Sequence, residues 1–293
     1  MEDLKFCIGF SGLTIRFHFP TAVTLTPELT DLACDDSGNA DEEFQIKLLT
    51  TPLPLNGNPV STYLGTHVYP ADKGWLRVYT PLTAENGCQV ACLLCPDGKH
   101  KLYYPAQKWD FYAHPLHLLH LIGGEYILLR HNALLLHSSV VMIHGKMVLF
   151  SGASGVGKST QASLWVKHLG AELINGDRCV VMEKEGAYWG GGSPWCGSSE
   201  VRRPDIAPIA GIFLVNQSSE SKLEKLGWEA FMHLIAETTV NSWDPLFMQK
   251  VTDIYSGLLK RVPVYRLNCR PDREAVDLVY KTIFQKEYPH GSI

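Results

Sequence analysis

Gly152-Ala153-Ser154-Gly155-Val156-Gly157-Lys158-Ser159-Thr160 carries the strongest chemical signal in the chain. Its first eight residues satisfy the pattern G-x4-G-K-[ST] at every specified position. The flanks are those the pattern requires: the apolar run Met147–Phe150 leads in as a strand, and 158–169 lead out with helical composition. Glycines let the backbone turn so that successive N–H groups point inward, and a helix N-terminus adds partial positive charge. Lys158 brings a mobile ammonium for the β- and γ-phosphates of ATP, and the Ser159 hydroxyl is a ligand for Mg²⁺. The plain alternative is a glycine-rich turn with an incidental lysine; the matching flanks weigh against it. A nucleoside triphosphate site spanning 152–160 is the expectation.

An acidic partner for the metal follows one helix later. Leu173-Ile174-Asn175-Gly176-Asp177-Arg178 reads as an apolar strand ending in a carboxylate. At such a strand end Asp177 would reach Mg²⁺ directly or through water. The competing reading makes Asp177 a turn former in Asn-Gly-Asp. The metal role is preferred.

Working outward, residues 134–152 read as two strands joined at His144-Gly145-Lys146. After the loop and its helix come short strands at 172–174 and 178–183, then the glycine-rich loop Gly190–Arg203. Further on lie a strand at 209–215, amphipathic helices at 228–237 and 245–259, the strand 262–267 and a closing helix, 272–285. Upstream, His117–Ala133 reads as one helix weakened at Gly123-Gly124. Residues 1–113 are β-rich, with runs such as LTIRFHF, EEFQIKLL, WLRVYT and CQVACLLC between Gly, Pro, Asp and Asn turns. Cys34–Glu43 reads as an acidic loop. The expected organisation is a β-rich N-terminal module, 1–113, followed by an α/β domain, 114–293.

Composition narrows the function classes. The chain has 293 residues, 45% of them hydrophobic and 19% charged, ample for a core and unlike a disordered tail. Net charge is −4 with no basic run, which argues against a nucleic-acid binder or an anionic-membrane binder. The longest apolar candidate, Tyr126–His137, is cut by Arg130 and His131, and no long apolar region follows the N-terminus. A cytoplasmic protein is expected.

Two clusters invite metal readings. Cys88, Cys92 and Cys95 match the spacing of a radical-SAM iron–sulfur site. On a strand, however, Cys88 and Cys92 share one face and Cys95 takes the other, so core thiols are the better reading. His114, His117 and His120 step by three, which on a helix spreads them across about 120° and disfavours a shared metal.

Taken together, LLLHSS, FSGASGVGKST, LINGDR and GSPWCGSS resemble the HPr kinase/phosphorylase family and its relative, ATP-dependent phosphoenolpyruvate carboxykinase. In ordinary P-loop enzymes the acidic metal residue usually comes much later. In this family a His-containing strand precedes the loop and an acidic strand follows one helix later. The resemblance covers about 134–215 and extends in outline to the C-terminus, whereas 1–113 do not resemble the N-terminal domain of the bifunctional enzymes. The whole chain looks more like stand-alone HPr-kinase-like proteins of bacterial peptide-modification clusters, lasso-peptide clusters among them.

The resemblance implies an α/β (overall α+β) P-loop fold with ATP and Mg²⁺ as cofactors. It places Lys158 on phosphates, Ser159 on the metal, and His137 near the acceptor and γ-phosphate as a catalytic residue. Asp177 matches the second of two adjacent family aspartates; the first, often assigned as general base, is Gly176 here. The base is then Asp177 itself, His137 or a residue outside the motif. A loose phosphoryl-transfer transition state needs positioning and charge neutralisation more than a strong base, so a kinase without phosphorylase activity is expected. In the Gly190–Arg203 loop, Trp195 offers a flat platform and Arg202 and Arg203 are candidate phosphate contacts; the alternative is a structural turn with Trp195 packed inward. The expected partner is a peptide or small protein presenting a serine, and related kinases are often homo-oligomers. The alternatives are a catalytically weak ATP-binding accessory protein and a small-molecule kinase.

Overall fold

The computed structural model describes residues 4–63, 65–79, 89–109 and 114–285, with the side chains of 115 and 116 excepted. The chain divides into two compact units, 1–127 and 128–293. The boundary expected near residue 113 falls among residues outside those described.

The first unit is built on an eight-stranded sheet. Its strands are β1 (Leu4–Phe10), β2 (Leu13–Phe19), β3 (Glu42–Leu49), β4 (Ser61–Tyr63), β5 (Thr66–Ala71), β6 (Gly74–Tyr79), β7 (Val90–Leu94) and β8 (Lys99–Pro105). They lie in the order β1-β2-β3-β8-β7-β6-β5-β4, with β3 parallel to both β2 and β8 and the other pairs antiparallel. Alternation decides the buried face: Ile15, Phe17 and Phe19 of β2 point inward, as do His100, Leu102 and Tyr104 of β8. Phe44 stacks on Phe17 with ring centroids 5.6 Å apart. His100 takes the Cys95 amide on Nδ1 and directs Nε2 at Glu42 Oε2, 2.7 Å away, both side chains fully buried. The acidic loop expected at Cys34–Glu43 is tied to β2 by Arg16, whose guanidinium reaches Asp36, Glu43 and the carbonyl of Gly38. A four-residue helix, α1 (Pro27–Thr30), interrupts the β-rich run. Cys92 and Cys95 are both buried; Cys88 lies outside the described residues.

The single helix expected at His117–Ala133 is two, α2 (Pro115–Leu121) and α3 (Gly124–Arg130). Gly123 between them has φ +64°, a left-handed conformation that ends a helix. The division between the units falls within α3.

The second unit follows the sequence pattern closely. Strands β9 (Ala133–Ile143) and β10 (Lys146–Ser151) form the hairpin, and α4 (Lys158–Leu169) follows the glycine loop. Next come β11 (Glu172–Asn175), β12 (Arg178–Lys184), β13 (Ala187–Gly191), β14 (Ile206–Gln217), β15 (Lys222–Lys225), α5 (Glu229–Ala236), α6 (Pro245–Leu258), β16 (Val264–Cys269) and α7 (Arg273–Phe284). The strand path is β10-β9-β12-β13-β14-β16-β15, with β11 against β9 and with β14 also pairing in parallel with β10. The second pairing returns the path to its first strand. Strands β13 and β15 were not expected from the sequence.

This sheet is buried on both faces. In β10, Met147 and Leu149 enter a core shared with α5 and α6, while Val148 and Phe150 enter one shared with α4 and α7. β14 repeats the split, with Ile212 and Leu214 on one side and Phe213 and Val215 on the other. A strand covered on both faces reads as a continuous apolar run, as these do. Helix ends obey local rules: Gly170 closes α4 at φ +64°, and Asp244 and Asp272 cap α6 and α7 with their side chains. Among the described residues no helix is long and apolar enough to cross a membrane.

Candidate functional site

The loop between β10 and α4 owes its path to three glycines. Gly152, Gly155 and Gly157 have φ of +133°, +81° and +107°, values an L side chain resists. Gly157 opens α4 with no side-chain cap and no acidic residue in the first turn. The first-turn N–H groups are thus directed toward an incoming anion. Lys158 is nearly buried and folds back into the loop, its Nζ donating to the carbonyls of Gly152 (2.8 Å) and Ala153 (3.0 Å). Burial lowers its pKa from the usual lysine value, opposed by the charges of Glu237 and Asp177. Ser154, Ser159 and Thr160 are exposed along the loop and first turn, with Val156 half-buried between them.

Strand alternation delivers the next residues. In β9, Val141 and Ile143 belong to the core under α4, so Ser139 and His137 share that face. Ser139 Oγ donates to the carbonyl of Gly176 (2.6 Å) and lies 3.3 Å from Ser159 Oγ. Ser159 Oγ is in turn 3.4 Å from the same carbonyl, which brings the end of β11 against the start of α4.

The Asn175-Gly176-Asp177 turn is made by Asn175. Its buried amide oxygen accepts from the backbone N–H of Asp177 (2.9 Å) and of Arg178 (2.8 Å). The Asp177 carboxylate is thereby released from turn duty. Its Oδ1 lies 3.3 Å from His137 Nε2 and its Oδ2 lies 3.4 Å from Arg178 Nε. The hydrogen bond from His137 is the main reason its pKa falls below the usual aspartate value, with Arg178 and Lys158 adding to the effect against burial. A carboxylate of that kind stays ionised at neutral pH, which suits a cation ligand better than a proton acceptor.

His137 has a second carboxylate that no sequence motif announces. Its Nδ1 lies 2.9 Å from Glu237 Oε2, and its backbone N–H donates to the Glu237 carbonyl at 2.8 Å. Glu237 follows α5, one hundred residues downstream of His137. Nothing local to it signals this role, because the pairing depends on the chain returning alongside β9. Arg178 and Ser139 also carry no signal of their own, although both stand inside the LINGDR and LLLHSS motifs.

The Gly190–Arg203 loop is tethered beneath this turn. Ser193 is fully buried; its Oγ donates to the carbonyl of Arg178 (2.7 Å), and its own carbonyl accepts from Asn175 Nδ2 (2.9 Å). Arg203 N–H donates to the carbonyl of Ile174 at 3.0 Å. The Arg202 side chain is buried, with Nη2 3.2 Å from Cys196 Sγ, and Arg203 pairs with Glu172. Trp195 is half-buried. The structure thus gathers Lys158, Ser159, His137 and Asp177 and directs both loop arginines to other partners.

The donor set fits Mg²⁺. That ion keeps several waters and takes one or two protein oxygens beside phosphate oxygens, and the Ser159 hydroxyl and the Asp177 carboxylate are groups of that kind. Among the described residues no group of three or more His, Cys, Asp or Glu forms a self-sufficient metal cage. No family model matches the chain, and no curated protein matches it. Among solved structures, the HPr(Ser) kinase/phosphatase from Coxiella burnetii matches with 11% identity and a TM-score of 0.28, over 52% of this chain and 93% of that one. A match at that level carries no argument about fold or activity.

Proposed function

We propose that the chain is an ATP- and Mg²⁺-dependent kinase of the HPr-kinase-like P-loop type. It transfers the γ-phosphoryl group to a serine, or a similar hydroxyl, of a peptide or small protein. The observation that carries this reading is the convergence of Asp177 and His137 on the loop that holds Lys158, with Ser159 beside the Asp177 turn. In the transfer, the acceptor oxygen bonds to the γ-phosphorus as the bond to the bridging oxygen breaks; ADP keeps that electron pair, and the hydroxyl proton passes to solvent water. Lys158 and the helix N-terminus neutralise phosphate charge, and Asp177 aligns the metal or the acceptor. Mg²⁺ would be held by Ser159 and Asp177 and would supply further charge neutralisation at the phosphates. Gly176 supports kinase activity without phosphorylase activity, since the first of the two adjacent acids of the bifunctional enzymes is missing. A cytoplasmic location and a homo-oligomer belong to the same proposal.

Titration of Mg·ATP into wild type, Lys158→Ala and Asp177→Asn, with γ-phosphate release followed in the same samples, tests it. Lys158→Ala should weaken ATP binding by about 10-fold or more. Asp177→Asn should keep binding and lose about 100-fold or more in turnover. If Asp177→Asn turns over as wild type does, a nucleotide-binding accessory protein becomes the better reading. The glycine at 176 is the observation that favours that second reading.

A further inference from the structure

We propose that the segment Glu237-Thr238-Thr239 is a positioning element for the site, holding His137 and Arg178 on either side of the Asp177 carboxylate. The inference rests on the kinase reading for its chemistry and on independent geometry for its architecture. Glu237 grips His137 twice, through its carbonyl to the backbone N–H and through its carboxylate to Nδ1. Two residues on, Thr239 Oγ1 accepts from Arg178 Nη1 at 2.9 Å. Between them Thr238 forms an isolated antiparallel bridge with Leu136, and Thr239 N–H donates to the carbonyl of Leu135 at 3.0 Å, so the segment is held against β9. Its far side is anchored as well: buried Thr238 Oγ1 donates to the carbonyl of Leu234 at 2.6 Å and meets the hydroxyl of Tyr255.

The consequence is directional. With Nδ1 held by Glu237, the imidazole ring turns Nε2 toward Asp177 Oδ1; with Nη1 held by Thr239, the guanidinium turns Nε toward Oδ2. Each Asp177 oxygen therefore faces a side chain whose other end is fixed by the same three residues. Partners that orient the groups around a reacting centre commonly contribute 10- to 100-fold, and misplacement by about 1 Å has effects of that size. Glu237 and Thr239 are positioning residues in this scheme: they reach the chemistry through His137 and Arg178.

The experiment uses the full chain with Mg·ATP alone as probe, following nucleotide affinity by titration and γ-phosphate release to water. Glu237→Gln and Thr239→Val should each lower turnover about 10- to 100-fold while ATP affinity stays within about two-fold of wild type. Thr239→Ser, which keeps the hydroxyl, should restore most of the lost rate. In parallel, the ring ¹⁵N signals of His137, assigned by their loss in His137→Gln, should shift in Glu237→Gln and stay in place in Thr239→Val. Wild-type turnover together with unshifted ring signals in Glu237→Gln overturns the proposal. So does a Thr239→Val loss that Thr239→Ser fails to recover. If wild type binds ATP but releases no phosphate to water, as a kinase can without its hydroxyl acceptor, the ring signals alone decide whether Glu237 orients His137.

Discussion

Gly176 is the residue at which packing and chemistry meet most directly. A Cβ built there would lie 2.3 Å from both Cβ and Oγ of Ser199, and one at Gly197 would lie 2.9 Å from Asp177 Cβ. The 196–199 turn thus lies against the backbone that presents Asp177, and no side chain fits between them. Introducing the first of the two family aspartates with Gly176→Asp should therefore not raise the proposed kinase activity. The expected outcome is a loss of about 1–3 kcal/mol from overpacking, read by urea denaturation, with turnover lowered as Asp177 is displaced. A variant that folds with wild-type stability and gains turnover would show that the turn yields easily. The neighbouring Asn175 shows how local chemistry frees a side chain: because its amide makes the turn, the Asp177 carboxylate is available for His137 and Arg178.

At the level of elements, β10 and α4 form the frame that sets the loop. Trp165 of α4 is fully buried and meets Phe150 of β10 edge-on at 5.8 Å, with Tyr280 of α7 at 6.3 Å. Trp165→Ala should cost about 3–5 kcal/mol by denaturant unfolding, because a cavity of that size under α4 does not collapse. On the proposed kinase reading nucleotide binding should weaken as well, since this contact seats the N-terminus of α4. Much at this scale was legible in the sequence. The 158–169 helix, the 134–152 hairpin and the strand at 178–183 stand where periodicity put them, since runs flanked by glycine and charge have few other options. β13 and β15 are not legible in it. β13 ends in Gly190-Gly191, which reads as loop, and β15 is the charged tetrapeptide KLEK, whose pairing with β16 outweighs its poor intrinsic preference. The split into α2 and α3 turns on Gly123, where a left-handed residue stops a helix that composition alone would continue.

Over the whole molecule, buried thiols couple stability to pH. Burial pushes the Cys92 thiol in the first unit and the Cys179 thiol in the second from 9.0 to about 12. An acid whose folded pKa is raised binds its proton more tightly in the native state. Its contribution is complete below pH 9 and is lost as pH rises from about 9 toward 12. Stability should decline in that window by about 1 kcal/mol per pH unit for each such thiol. Urea denaturation between pH 7 and 11 checks this, and Cys179→Ala should make the alkaline slope of its unit shallower. An unchanged slope in that variant would remove Cys179 from the account.

The sequence by itself determined the glycine loop at 152–157, the helix that follows it, the strand carrying His137 and the turn carrying Asp177. Each is governed by interactions within a few residues: left-handed glycines, period-two burial and an uncapped helix start. Only the tertiary structure decided that Glu237 and Thr239 stand behind His137 and Arg178, that Arg202 turns inward to Cys196, and that no side chain fits at 176. Those outcomes depend on segments up to one hundred residues apart meeting across a sheet. Which chain returns beside β9, and in which register, is set by the packing of α5 and α6 on the shared core, and no local motif encodes it.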